Sequence, residues 1–213
     1  MQTAHELFLH ELSDLLSGER IALEGLQEQE GQIQEPQVLK ALEAHRAQTE
    51  GQIERLEQVF EELGEEPEDT DCDGMKGLVQ EFRTFVKEDP APEILTMFAV
   101  GANAKIEDYE IRAYESAINF AKMMGHRKAE RLLNQNLREE QAQLKKLEQF
   151  EKKLAPQLPA GMGEEGTLQQ MQRQSQRSSG RSSSSRSSSS RSSGSRSRKS
   201  TSSSRNGSRR RAA

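Results

Sequence analysis

The sequence predicts an all-α protein, a ferritin-like four-helix bundle with one long crossover connection containing a short helix, followed by a disordered C-terminal tail. Composition is the first reason: Leu, Glu, Gln, Ala, Lys and Arg dominate the first 156 residues, which contain no Trp and few Gly, as in long helices rather than sheets. Apolar residues there recur at the three-and-four spacing of a helix face. Glycine and proline then cut the chain into two pairs of long segments with a long connection between the pairs.

The first long helix runs from about Thr3 to Gln29 and ends around Gly31. The second starts near Glu35-Pro36, where proline suits a first turn, and stops at Gly64. A crossing follows to Asp89, with the short helix "MKGLVQEFRTFVKE" inside it. "EDPAP", residues 88–92, opens the third long helix, with Asp89 as a candidate cap. That helix reaches Met124, and Gly125 is placed to end it in the left-handed conformation. The fourth runs to about Leu154, before Pro156 and Pro159. The expected domains are a bundle over 1–156 and a Ser/Arg-rich basic tail over 157–213.

Helical wheels at 100° per residue show which polar groups such a bundle must bury. In the first helix Glu19 sits within the stripe Phe8, Leu12, Leu15, Leu16, Ala22, Leu23, Leu26. In the fourth, Glu140 is surrounded by Leu133, Leu137, Leu144 and Leu147, with Asn136 and Gln143 on the same side. The second helix presents His45, Thr49 and Gln52 among Leu42, Ile53, Leu56 and Phe60. In the third, the stripe Leu95, Phe98, Ala102, Ile106, Tyr109, Ala113, Ala117, Phe120 puts Glu110 roughly 60° from its centre and Glu107 about twice as far.

Glu19, Thr49, Glu110 and Glu140 each lie within about a turn of the midpoint of their helix, so the polar residues meet at mid-height. Carboxylates in a dry layer repel unless cations or protons intervene, a situation that a bound metal resolves. Glu19, His45, Gln52, Glu107, Glu110 and Glu140 are therefore candidate ligands. The alternative is a hydrogen-bonded polar layer in which these groups and the tyrosine hydroxyls neutralise one another.

The stretches "HELFLHELSDLLSGER", "HRAQTEGQIERLEQVF", "DCDGMKGLVQEF", "KIEDYEIRAYESAINFAKMMG" and "LLNQNLREEQAQLKKL" together resemble the YciE/YciF family of ferritin-like proteins, over roughly residues 3–154. The runs His45, Thr49, Gln52, Arg55, Leu56 and Glu107, Tyr109, Glu110, Ile111, Tyr114 carry the likeness most specifically. The resemblance implies a dimeric ferritin-like bundle linked with bacterial stress responses, with no assigned activity. Dimetal carboxylate bundles use one Glu from each of two helices and Glu-x-x-His from each of the other two. Here the fourth helix reads Glu140-x-x-Gln143, and the second has Gln48 and Gln52 where a carboxylate is expected. An oxygen-rich set with one imidazole suits iron or manganese, as a dimetal centre, better than zinc.

"DTDCDG", Asp69–Gly74, matches the opening of a calcium loop, but Gln80 stands at the twelfth place, where a bidentate Glu is needed. Those aspartates are expected to be solvated crossover residues. Cys72 is the single cysteine, so no intrachain disulfide forms, and it reads as a plain thiol in a connection. His5, His10 and His126 read as surface or helix-end residues. The N-terminus is amphipathic and charged, neither a signal peptide nor a membrane span, so a cytoplasmic protein is expected.

All 35 acidic residues precede Gly166 and 12 of the 30 basic ones follow it, so an acidic body near −17 carries a tail near +12. In the tail Arg181, Arg186, Arg191 and Arg196 recur among serines, and Arg209, Arg210 and Arg211 close it. Little there is apolar, so disorder and nonspecific contact with DNA or RNA phosphates are expected. Two functions follow: a metal-binding ferritin-like protein that oxidises iron or disposes of peroxide, or a noncatalytic homodimeric scaffold held on nucleic acid by its tail.

Overall fold

The structure, a computed structural model, describes residues 1–159. Five α-helices appear in order, α1 (Ala4–Glu30), α2 (Pro36–Leu63), α3 (Asp73–Val86), α4 (Pro92–Met124) and α5 (Arg127–Leu154), followed by a 3-10 turn, Ala155–Gln157. No strand occurs among the described residues. The tail arginines, from Arg181 to Arg211, lie outside them, as does most of the expected tail domain.

Local chemistry explains the ends. The Thr3 side chain accepts from the Glu6 amide at 3.1 Å, and Glu6 reaches back to the Thr3 amide at 3.3 Å, a reciprocal capping box. Pro36 and Pro92 occupy first turns, where a missing N–H costs nothing. Gly125 closes α4 at φ 80°, a conformation strained for any residue with a Cβ. Asp89 is not the cap expected of it: it stands at φ 50° in the loop, and Ala91 takes the cap position with no side-chain hydrogen bond, because Pro92 starts the helix there.

The long helices form a ring in which α1 packs on α2 and α4, and α5 on α2 and α4, leaving α1/α5 and α2/α4 as diagonals. One apolar cluster joins Phe8, Leu12, Leu56, Phe60, Ala121 and Leu133. Another, at the opposite end, joins Leu26, Val38, Leu42, Leu95, Ala99 and Leu147. Since α2 ends in the first and α4 begins in the second, the crossover must travel the length of the bundle. Helix α3 makes the journey against α1 and α4, burying Met75, Val79 and Phe82. Gly25 permits its close approach: a Cβ there would sit 3.1 Å from Val79 Cγ2.

Helix α4 is turned from the orientation its apolar pattern predicts. Ala99, Asn103, Glu107, Glu110, Tyr114 and Ala121 are buried, whereas Phe98, Tyr109, Ala113 and Phe120 are half-buried. The rotation is about a quarter-turn. A wheel weighted by hydrophobicity points away from a face whose central residues are polar, and here the polar face is the one turned inward.

The aspartates of Asp69–Gly74 are the solvated crossover residues expected of them, not a calcium loop. Asp69, Asp71 and Asp73 are exposed, and α3 already begins at Asp73, where a calcium loop would still be coiling round its ion. Cys72 is buried at the start of α3, its Sγ 3.2 Å from both Asp14 Oδ2 and Tyr109 Oη.

Candidate metal centre

Between the two apolar clusters lies a polar layer with a member from each long helix: Glu19 from α1, His45, Thr49 and Gln52 from α2, Glu107 and Glu110 from α4, and Asn136, Glu140 and Gln143 from α5. All are buried, and Gln52, Glu107, Asn136 and Glu140 are wholly so, each at 0% exposure. The helix spacing produces this directly, since Glu107 and Glu110 stand three residues apart and Tyr114 four further on, along one face of α4.

His45, Glu107 and Glu140 converge, each offering a ligand atom within 4.8 Å of the others. His45 Nε2 lies 3.2 Å from Glu107 Oε1, but the approach is not aligned as a hydrogen bond. Gln52 Nε2 donates to Glu140 Oε1, and Tyr114 Oη donates to Glu19 Oε1. Glu107 is thus central, whereas its position on the wheel sets it furthest from the interior. Glu110 is buried beside this trio, and Glu19 meets the layer from the α1 side.

Burial dominates the electrostatics. It pushes the Glu107 carboxyl well above the ordinary range, and Glu140, Glu110 and Glu19 add to the push. Glu110 is raised by burial and then by Glu19 and Glu140; Glu19 is raised by burial and then by Glu140, against the Tyr114 hydrogen bond. Glu140 is raised to about 7, again chiefly by burial. His45 is held down to about 4 by burial and then by Lys146, so the imidazole is neutral at pH 7. Among the described residues the layer therefore holds four carboxyls and no fully buried cation to balance them.

With the carboxyls ionised, both Glu107 oxygens, Glu110 Oε1, Glu140 Oε2, His45 Nδ1, Gln52 Oε1 and Asn103 Oδ1 lack hydrogen-bond partners, whereas a protonated carboxyl would let Glu107 and Glu140 bond to each other. Buried polar atoms are ordinarily paired. Here those of His45, Glu107 and Glu140 converge, and all three residues offer lone pairs, which fits a cation. The surrounding residues Arg55, Tyr114 and Asn136 are not among the candidate ligands, although the sequence already places Asn136 inward and sets Arg55 and Tyr114 in the runs that carry the family likeness. The signal available for them is spacing, since Tyr114 and Asn136 stand four residues from Glu110 and Glu140 and so share their faces.

The family model described as "Domain of unknown function (DUF892)" matches residues 3–158. The chain belongs to that family. It is 33% identical over 143 residues to protein YciF of Escherichia coli K12, an alignment that covers 67% of this chain and 86% of that protein. The crystal structure of the E. coli stress protein YciF superposes with a TM-score of 0.71 at 30% identity, over 74% of this chain and all of that one. YcfI from Rhodopseudomonas palustris superposes with a TM-score of 0.67 at 33% identity, over 70% of this chain and 94% of that one. The ferritin-like, YciF-type bundle expected from the sequence is therefore the fold of this DUF892 member. No helix among the described residues is long and apolar enough to cross a membrane.

Proposed function

We propose that this chain is a cytoplasmic, ferritin-like stress-response protein that binds a divalent metal, iron or manganese, in the mid-bundle layer. The observation that carries the reading is the convergence of acidic groups: four buried carboxyls beside a neutral imidazole, which as carboxylates would leave four oxygens unpartnered. Two divalent cations would neutralise four carboxylates; failing them, the groups must hold protons. His45, Glu107 and Glu140 would hold one ion, with Glu110 and Glu19 extending the set towards a second and Gln52 as a weak oxygen donor. One nitrogen among many oxygens favours iron or manganese over zinc.

Bound there, such a metal would supply the redox chemistry for oxidising iron or consuming peroxide. The chain's own part is to exclude water, to fix the carboxylates by packing, and to keep the imidazole uncharged so that its lone pair is available. The test is elemental analysis of protein purified without chelator, beside a Glu19→Ala, Glu140→Ala double variant. About two iron or manganese ions per chain, lost in the variant while helicity is kept, is the expected result. No metal in the unaltered protein, even after anaerobic loading with Fe²⁺, would sink the reading.

A second reading is favoured by the charge separation along the chain, where 12 basic and no acidic residues follow Gly166. In it the bundle is a homodimeric scaffold and the tail contacts nucleic-acid phosphates. DNA affinity that falls steeply with salt and disappears on truncation at Gly166 would support it.

A further inference from the structure

Arg55 on α2 is half-buried, and its guanidinium can only donate. Its Nε donates to Asn136 Oδ1 and its Nη2 to Glu139 Oε2. The Asn136 amide is therefore oriented by chemistry: with its carbonyl facing a group that has no lone pair, its Nδ2 must face inward. Nδ2 donates to Tyr114 Oη at 2.9 Å and to the Gln52 backbone carbonyl at 3.2 Å, which uses both amide protons. Tyr114 Oη thus accepts from Asn136, and its single proton goes to Glu19 Oε1. Asn136 and Tyr114 are 0% exposed and Glu19 is 1%, so no bulk water can reverse a link.

We propose that Arg55, Asn136 and Tyr114 form a one-way hydrogen-bond chain that holds Glu19 Oε1 as an acceptor, leaving Oε2 as the oxygen Glu19 can give to a cation. The three are positioning residues, since none needs to touch the metal. Outer hydrogen bonds of this kind set the orientation and basicity of a metal-binding carboxylate. The chain's link to metal affinity rests on the metal-binding reading above; its direction does not.

Two substitutions at Asn136 separate direction from packing. Asn136→Asp keeps the shape and the Arg55 pair but has no N–H, so the Tyr114 proton is drawn to the new carboxylate and Glu19 loses its donor. Asn136→Leu removes the amide but leaves Tyr114 free to donate to Glu19. In Mn²⁺ titrations, Asn136→Asp and Tyr114→Phe should each weaken binding about 10- to 100-fold, whereas Asn136→Leu, which removes the donor to Tyr114 but leaves Tyr114 its own proton, should weaken it less than either, even if it melts earlier. Affinity that merely follows melting temperature across the three would overturn the proposal.

A metal-free readout keeps the two proposals separable. The protein has two tyrosines, so in a Tyr109→Phe background the Raman doublet of Tyr114 reports whether its hydroxyl accepts as well as donates. In chelated protein, Asn136→Asp and Asn136→Leu should both shift that doublet to the donor-only pattern. An unchanged doublet would overturn the chain. Absence of Mn²⁺ binding by the unaltered protein, with the doublet shifting as expected, would overturn the metal-binding reading and the Oε2 assignment while upholding the direction.

Discussion

His45 Nε2 stands 3.2 Å from Glu107 Oε1 across the α2/α4 diagonal of the bundle, in an approach that is not a hydrogen bond. A pair so close yet unaligned is held in place by its helices rather than by its own attraction, and it is costly in the metal-free protein. Glu107→Leu should therefore stabilise chelated protein by about 1–3 kcal/mol, because a well-packed apolar residue replaces an uncompensated buried carboxyl. Urea denaturation of chelated samples measures this, and the same substitution should remove metal binding. A destabilised chelated variant would argue that the layer is held by its own hydrogen bonds.

The pH dependence of the chelated protein follows from two opposite shifts. His45, held down to about 4 from 6.5, contributes stability that is present above 6.5 and lost as pH falls towards 4. Glu140, raised to about 7 from 4.5, contributes stability that is present below 4.5 and lost as pH rises through 7. Glu19, Glu107 and Glu110 are raised well above 4.5 and extend the alkaline loss. The two effects oppose each other between 4.5 and 6.5, and above that range only the carboxyl loss continues. Melting temperature in chelator should fall by several degrees between pH 6 and pH 8.5, and Mn²⁺ should abolish the fall; a flat profile in chelator would contradict the buried charge.

Two glycines should respond to alanine with opposite signs. Gly125 stands at φ 80°, so Gly125→Ala should cost about 1–2 kcal/mol. Gly77 lies inside α3 with open space where an alanine methyl would stand, nothing lying within 4 Å, so Gly77→Ala should gain up to about 1 kcal/mol from helix propensity. Urea midpoints at constant slope would check both.

Cys72 should be a protected thiol. It is buried between α1, α3 and α4, and burial is the main force raising its thiol above the ordinary range, so little thiolate forms. An aromatic disulfide reagent should label native protein at least about 100-fold more slowly than urea-unfolded protein at pH 8. Comparable rates would mean that α3 opens readily from the bundle.

Helix number, helix ends and the long crossover were legible in the sequence because they depend on local chemistry: proline at Pro36 and Pro92, glycine at Gly64 and Gly125, and the heptad-like apolar spacing of α1 and α5. The mid-height polar layer was legible too, since height follows from a constant rise per residue. What only the tertiary structure decided is which way α4 faces. Its apolar residues are spread around most of its circumference because α1, α3 and α5 all pack on it, so no wheel of α4 alone can rank Glu107 against Glu110. The direction of the Arg55–Asn136–Tyr114–Glu19 chain was likewise out of reach, because it depends on donors and acceptors from four helices meeting in one dry layer, and a linear sequence states the groups without stating which face each other.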